Sequence, residues 1–279
     1  MNISVLNLAV SALLAGFISL AAWRARSLSP QGVLAATLLG TVIFGLGGLA
    51  WAILLLGFFI SSSLLSRLFK RRKQTLEEKF SKGTRRDAGQ VAANGGAAGL
   101  LVLLHLFQPG ADWVWAAYAG ALAAANADTW ATELGVLSRA AARLITTGQP
   151  VERGTSGGIT PLGTLASTAG ALLIALLAVL FWQGESASLP FLHRLGWAAV
   201  ITLAGLAGSL LDSLLGAAVQ SIYYCPTCQK ETERHPLHIC GTATERRRGL
   251  IWLDNDWVNA ICTLGGALAA GGAYALFFA

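Results

Sequence analysis

Eight stretches of this chain are each long and apolar enough to cross a lipid bilayer, and that restricts the fold more than anything else in the sequence. They cover residues 2–22, 31–48, 49–68, 90–108, 112–135, 161–183, 194–220 and 254–278, against the roughly 20 apolar residues that a spanning helix needs. Within hydrocarbon every backbone N–H and C=O has to find its partner inside the protein, so helices are the default element. The expected fold is all-α: a polytopic membrane bundle of about eight helices, one domain over residues 1–279, with a Cys/His loop at 221–250 between the last two helices. Composition agrees, with 54% hydrophobic and 12% charged residues among 279. The first apolar run has no basic residue before it and is too long for a signal-peptide core, so it reads as a spanning helix. A Gly-rich turn at Gly47-Gly48 predicts a tight hairpin of the second and third segments.

Lysine and arginine orient the bundle. If the N-terminus lies outside and the loops alternate, all of the 20 positive residues except Arg194 fall in inner loops. The positive-inside rule then puts both termini outside and the large loops in the cytoplasm of a bacterial cytoplasmic membrane. The net charge of +6 is thereby a matter of topology, and membrane lipid rather than nucleic acid is the expected partner. Loop 69–88 has two readings: a solvated face attracted to anionic headgroups, or a loop whose Lys82, Arg85 or Arg86 hold a phosphorylated substrate.

Polar residues inside the apolar segments share one depth. A carboxylate at mid-bilayer costs about 2.5–3.5 kcal/mol on insertion scales, so chains retain it where a pocket, ion or partner compensates. Asn126, Asp128, Thr129 and Glu133 lie in the inner half of segment 112–135. Ser209, Asp212, Ser213, Gly216 and Gln220 share one helix face of segment 194–220. Asp254, Asn255, Asp256 and Asn259 open the last segment, and Asn94-Gly95-Gly96 opens segment 90–108. The outer halves are nearly free of charge. A transporter would place polar groups near the midplane and along a path, whereas one-sided clustering points to an enzyme site just below the headgroups. His105, on an outer half, reads as a packing residue.

Aspartates with amides and hydroxyls are hard oxygen donors suited to magnesium, which commonly bridges to substrate phosphates. Arg153-Gly154-Thr155-Ser156-Gly157-Gly158 supplies a cation, two hydroxyls and flexible backbone amides directly before a helix N-terminus. It lacks the Gly-Lys-Ser/Thr ending of a Walker loop. Phosphoryl transfer needs mainly positioning and charge neutralisation and no obligatory protein nucleophile, which fits this set of groups.

Cys225-Pro226-Thr227-Cys228, followed by His235, His238 and Cys240, has the spacing of a short zinc knuckle. A cytoplasmic place argues against a disulfide; a redox CxxC is the other reading. The fourth ligand is His235 or His238, with His235 slightly favoured for its easier spacing to Cys240. Such a structural zinc would stiffen a loop beside the site. Cys262 reads as simply buried.

Several stretches together resemble a membrane family that includes the plant and cyanobacterial phytyl-phosphate kinases. They are Asn94-Gly95-Gly96, the segment from Ala127 to Gly135, the Gly154 to Thr160 loop, the segment from Gly208 to Ala217 with Gln220, and the segment from Leu253 to Asn259. The resemblance implies transfer of a nucleotide γ-phosphate, from CTP or another triphosphate, to a phytyl or other isoprenyl monophosphate. It implies catalytic roles for Asp128, Asp212 and Asp254. Magnesium would be held from Asp128, Asp212, Asp254 or Asp256, with Glu133 and Asn259 also in range. Arg153 and the Gly154–Gly158 loop, with Lys82, Arg86, Asn94, Ser209 and Ser213, would hold phosphates. Two alternatives stand beside it: a CDP-alcohol phosphotransferase-like enzyme, whose aspartates would be concentrated in one motif, and a cation or lipid-phosphate transporter.

Overall fold

The computed structural model describes residues 4–69, 85–182 and 190–278. Lys82, expected to contact phosphate, lies outside the described residues. The chain is mostly helical: α1 (Val5–Arg24), α2 (Pro30–Val42), α3 (Leu49–Leu68), α4 (Ala88–Phe107), α5 (Asp112–Gly135), α6 (Pro161–Leu180), α7 (Phe191–Ala218) and α8 (Asn255–Phe278). These match the eight expected segments to within a few residues.

Local chemistry sets several boundaries. Ser29 accepts from the Gly32 amide ahead of Pro30 at the start of α2. Asp87 and Gln90 form a reciprocal capping box on α4. Thr160 accepts from the Gly163 amide at 3.0 Å, again with a proline in the first turn, Pro161 of α6.

Seven helices are long and apolar enough to cross a membrane. The exception among the described helices is α5, which is long enough at 24 residues but carries Asp112, Asn126, Asp128 and Glu133. It tolerates these groups because it is hidden from lipid. Seventeen of its 24 residues are buried, and α3, α4, α6, α7 and α8 all pack on it. Such packing needs small residues, since helices in a bilayer gain by close approach rather than by leaving water. At the α5–α8 crossing Gly120 meets Gly266, and a Cβ on either would collide with the other's carbonyl.

The two ends of the bundle differ. At one end Trp51, Trp115, Tyr118, Trp182, Trp197 and Tyr274 form an aromatic plug, with ring centroids as close as 4.6 Å for Trp51 and Tyr118. His105 packs on Trp51 at 4.9 Å, the packing role expected of it. At the other end the connections fold into two antiparallel three-stranded sheets, which the loop expectation had not resolved. One comprises β1 (Ala142–Leu144), β2 (Pro150–Val151) and β3 (Gly158–Ile159) in the order β2-β1-β3; the other comprises β4 (Ile222–Cys225), β5 (Lys230–Thr232) and β6 (Glu245–Arg248) in the order β5-β4-β6.

The expected hairpin of α2 and α3 is only half realised. The turn is tight: α2 runs on through a π-helical turn, Ile43–Gly47, and Gly48 reverses the chain at φ 84°. The two helices then part. α2 packs on α1 and α4, while α3 packs on α5 and α6. An apolar cavity of about 250 Å³ lies where they diverge.

The Gly120–Gly266 crossing gives a direct test. Gly120→Val should lower the thermal midpoint in detergent by an amount equivalent to at least the ~1–3 kcal/mol typical of overpacking, because backbone has to move. Gly272→Val on α8, with open space around it, should leave the midpoint within error.

Candidate active site

A polar cavity of about 290 Å³ opens at the sheet-bearing end of the bundle. α5 contributes Asp128, Thr129, Thr132 and Glu133, α7 contributes Ser209, Asp212 and Ser213, and α8 contributes Asn255 and Asn259. These positions recur at helical spacing, so each helix turns one polar stripe to a common space. Asp212 lies within electrostatic reach of Asp128 and of Glu233. Its Oδ2 is buried and has no hydrogen-bond partner among the described residues. A buried carboxylate oxygen left unpaired is costly, and this donor set of carboxylates, amides and hydroxyls fits a hard, oxygen-preferring cation.

The opposite wall is the segment from Arg153 to Thr160. The Thr155 amide donates to Glu152 O and the Gly158 amide to Thr155 O, at 3.2 and 2.9 Å, so these two amides hold the loop's own shape. Gly157 adopts φ 82° and lies against the backbone of Ala217, where any side chain would clash. The loop is thus clamped to the end of α7. Ser156 donates to Gln220 Oε1 at 2.6 Å, and Gln220 Nε2 donates to Glu233 Oε1 at 3.0 Å.

Arg86 and Glu133 complete the cavity beside α3. Arg86 donates to Ser63 and Ser62 hydroxyls at 3.0 and 2.9 Å, while Ser66 donates to Glu133 Oε1 at 2.8 Å. Burial lowers the Arg86 guanidinium to about 10, partly offset by the Glu133 charge. It therefore stays cationic near neutral pH.

The cavity brings together most of the residues singled out from the sequence: Asp128, Glu133, Asp212, Asn259, Arg86, Asn94, Ser209, Ser213 and the Arg153–Gly158 loop. Asp254 and Asp256 are not among its lining residues. Asp254 is exposed and its Oδ1 accepts from the Asp256 and Trp257 amides at 3.0 and 3.1 Å, so it caps α8 instead. Asn255 takes the expected place, one helical turn before Asn259. Asn126 is also absent from the cavity; it accepts from Ser61 and donates to Gly170 O at 2.8 Å, tying α3, α5 and α6 together. Gln90, Thr164, Ser167 and Glu233 also line the cavity, and none of them is marked by the sequence patterns. Gln90 and Thr164 were within reach, each one helical turn from Asn94 and Thr160, whereas nothing local marks Glu233.

The family described as Integral membrane protein DUF92 matches residues 13–267. The chain belongs to the DUF92 integral membrane family. Protein PGR of Arabidopsis thaliana is 33% identical over 273 residues, covering 92% of this chain and 93% of that protein. Uncharacterized membrane protein MJ0933 of Methanocaldococcus jannaschii is 33% identical, covering 95% and 93% respectively. Protein VTE6, chloroplastic, of Arabidopsis thaliana is 24% identical, covering 87% of this chain and 64% of that protein. No solved structure matches the chain.

In this DUF92 protein the second sheet carries a metal-ligand constellation. Cys225, Cys228, His238 and Cys240 place one donor atom each within 4.8 Å of one another. Cys225 Sγ and Cys240 Sγ are 3.6 Å apart, close to the ~3.8 Å edge implied by tetrahedral zinc with ~2.3 Å bonds. His238, not the slightly favoured His235, completes the set. The His235 ring instead stacks on Tyr223 at 4.3 Å. A tight turn, closed by the Gly241 amide donating to His238 O at 2.9 Å, lets His238 Nδ1 and Cys240 Sγ approach to 3.2 Å. Hydrogen bonds with Thr242 and His238 hold the Cys240 thiol low, at about 6, while the hydrogen bond with Cys240 pushes Cys228 up to about 11. The sheet is fastened to the bundle by Arg248, which donates to Gly216 O and Ala217 O at 3.1 and 2.7 Å, closing the C-terminal end of α7.

Elemental analysis of protein purified without added metal should find stoichiometric zinc. Cys225→Ser and His238→Ala should lose it and lower the melting temperature, as expected where metal binding is coupled to folding. His235→Ala should retain it; zinc lost there and kept in His238→Ala would reverse the assignment.

Proposed function

We propose that this protein is a prenyl-phosphate kinase, transferring the γ-phosphate of CTP or another nucleoside triphosphate to an isoprenyl monophosphate such as phytyl phosphate. The observation that carries the reading is the facing arrangement in the polar cavity: Asp128 and Asp212 on separate helices, with an unpaired buried Asp212 oxygen, opposite Arg153 and the Gly154–Gly158 loop. The motif resemblance to phytyl-phosphate kinases supports it, and so do membership of an integral membrane family and the similarity to the chloroplastic Protein VTE6. The basic residues of the loops support an orientation with this end in the cytoplasm of a bacterial cell and both termini outside.

Asp128 and Asp212 would hold magnesium, with Asn259 and Glu233 in the same cavity; bound there, the ion neutralises phosphate charge and orients the nucleotide. Arg153 and the Thr155 hydroxyl bind the nucleotide phosphates, Ser156 serves to hold the loop through Gln220, and Ser209 and Ser213 line the same cavity. Arg86 binds the acceptor phosphate from the α3 side. A non-bridging oxygen of the acceptor monophosphate attacks the γ-phosphorus. The bond from γ-phosphorus to the β–γ bridging oxygen breaks, and the nucleoside diphosphate leaves with the electron pair. A phosphate monoester is already largely dianionic at neutral pH, so no side chain has to remove a proton. Glu133, hydrogen-bonded to Ser66 and coupled to the Arg86 charge, positions the acceptor cation. The aromatic plug at the far end supports a one-sided site rather than a through-path.

Purified protein with magnesium, CTP or ATP, and phytyl, farnesyl or geranylgeranyl monophosphate should yield the diphosphate, read by mass spectrometry. Asp128→Asn and Asp212→Asn should each reduce turnover about a hundredfold or more while remaining folded. Folded wild-type protein that makes no diphosphate from any pairing would refute the reading.

A further inference from the structure

The apolar cavity where α2 and α3 diverge is not an isolated void. Arg86, Gln90 and Asn94 line both it and the polar cavity. Along α3 the character changes at Arg86. Phe58 and Phe59 line the apolar side, with the guanidinium 5.5 and 5.6 Å over their rings. Ser62 and Ser63 hold its nitrogens, and Ser66 lines the polar side. The Arg86 backbone is pinned as well: its amide donates to Ser27 O and its carbonyl accepts from the Ser29 amide, both at 2.9 Å. Gly32 of α2 lies against that carbonyl, where any side chain would collide. The α1–α2 connection thus holds one cation at the mouth of an apolar cavity.

The cavity's dimensions limit what fills it. From Phe59 to Leu49, both in its lining, α3 rises about 15 Å at ~1.5 Å per residue. A space of about 250 Å³ over that length suits one hydrocarbon chain and not the paired chains of a phospholipid. Phe44 and Leu49, on either side of the Gly48 turn, stand at the end away from Arg86.

We propose that this cavity binds the chain of a single-chain lipid monophosphate, isoprenyl on the reading above on which this rests. Arg86 meets its phosphate, and Phe44 and Leu49 set the longest chain accepted. The occupant follows from continuity of the two cavities and from the cation at their junction. Arg86 and Phe44 are then specificity determinants.

Photolabelling separates this inference from the kinase reading, because it needs neither nucleotide nor turnover. Full-length protein in nanodiscs is irradiated with a diazirine-bearing isoprenyl monophosphate, and the labelled peptides are mapped. Labels should fall on the α2 and α3 residues lining the cavity. Excess isoprenyl monophosphate should compete with them, and an equal excess of phosphatidylglycerol should not. Ala52→Trp, which fills the cavity, should cut labelling about tenfold, or ~1.4 kcal/mol. Leu13→Trp, on the 75% exposed lipid face of α1, should not. Arg86→Gln should abolish the preference for monophosphate over free alcohol, and Phe44→Ala should shift competition toward longer chains. Labels spread over lipid-facing surfaces, or displaced equally well by phospholipid, would overturn the proposal and leave the kinase reading intact. Specific labelling without kinase activity would do the reverse. Should Ala52→Trp fail to fold, the wild-type label map and competition decide alone.

Discussion

The site depends on helices that approach almost to backbone contact. Asp128 and Asp212 belong to different helices, and neither would be tolerable facing lipid, where an unpaired carboxylate costs several kcal/mol. They meet because α5 is rich in alanine and glycine and is enclosed by five neighbours. Where Gly120 and Gly266 touch, α8 comes close enough to bring Asn255 and Asn259 to the same cavity. The same packing explains why the helix least suited by composition to cross a membrane lies at the centre. Its polar groups are shielded by protein, and the outer helices, such as α1 with its exposed Leu13 and Phe17, supply the lipid-facing leucines and aromatics.

The loops at the polar end are held by side chains rather than by length. Gln220 joins Ser156 of the glycine loop to Glu233 of the Cys/His sheet, and Arg248 joins that sheet to the end of α7. A metal among Cys225, Cys228, His238 and Cys240 would stiffen the sheet and, through Gln220, the loop facing the aspartates. In this arrangement a bound metal would brace the site from outside the polar cavity, whose lining includes none of these four residues.

The helices were legible because hydrocarbon allows little else, and hydropathy and capping residues such as Ser29, Asp87 and Thr160 mark their ends. The shared depth of Asp128, Glu133, Asp212 and Asn259 follows from the basic residues that orient the bundle, together with each residue's position along its helix. What escaped depended on competition between local and tertiary demands. Asp254 sits where both a cap and a ligand would be written, and two backbone amides claimed it. Asn126 was placed by depth but is absorbed by helix packing. The choice of His238 over His235 follows from the stacking of His235 on Tyr223, a contact made only when β4 is in place. Glu233 reaches the cavity through a folded sheet that no periodicity announces. The divergence of α2 and α3 turns on the π-helical turn before Gly48, where sequence shows only a short glycine connection.

If the polar cavity moves a terminal phosphate onto a lipid phosphate, isotope should pass from the nucleotide to the lipid. Purified protein would be given isoprenyl monophosphate and CTP labelled either at the γ- or at the α-phosphorus, and the extracted lipid counted. Label from the γ position should enter the lipid, with none from the α position and with nucleoside diphosphate formed in equal amount. Label arriving from the α position would mean nucleotidyl transfer and contradict the account, as would an unlabelled lipid from folded protein in both arms.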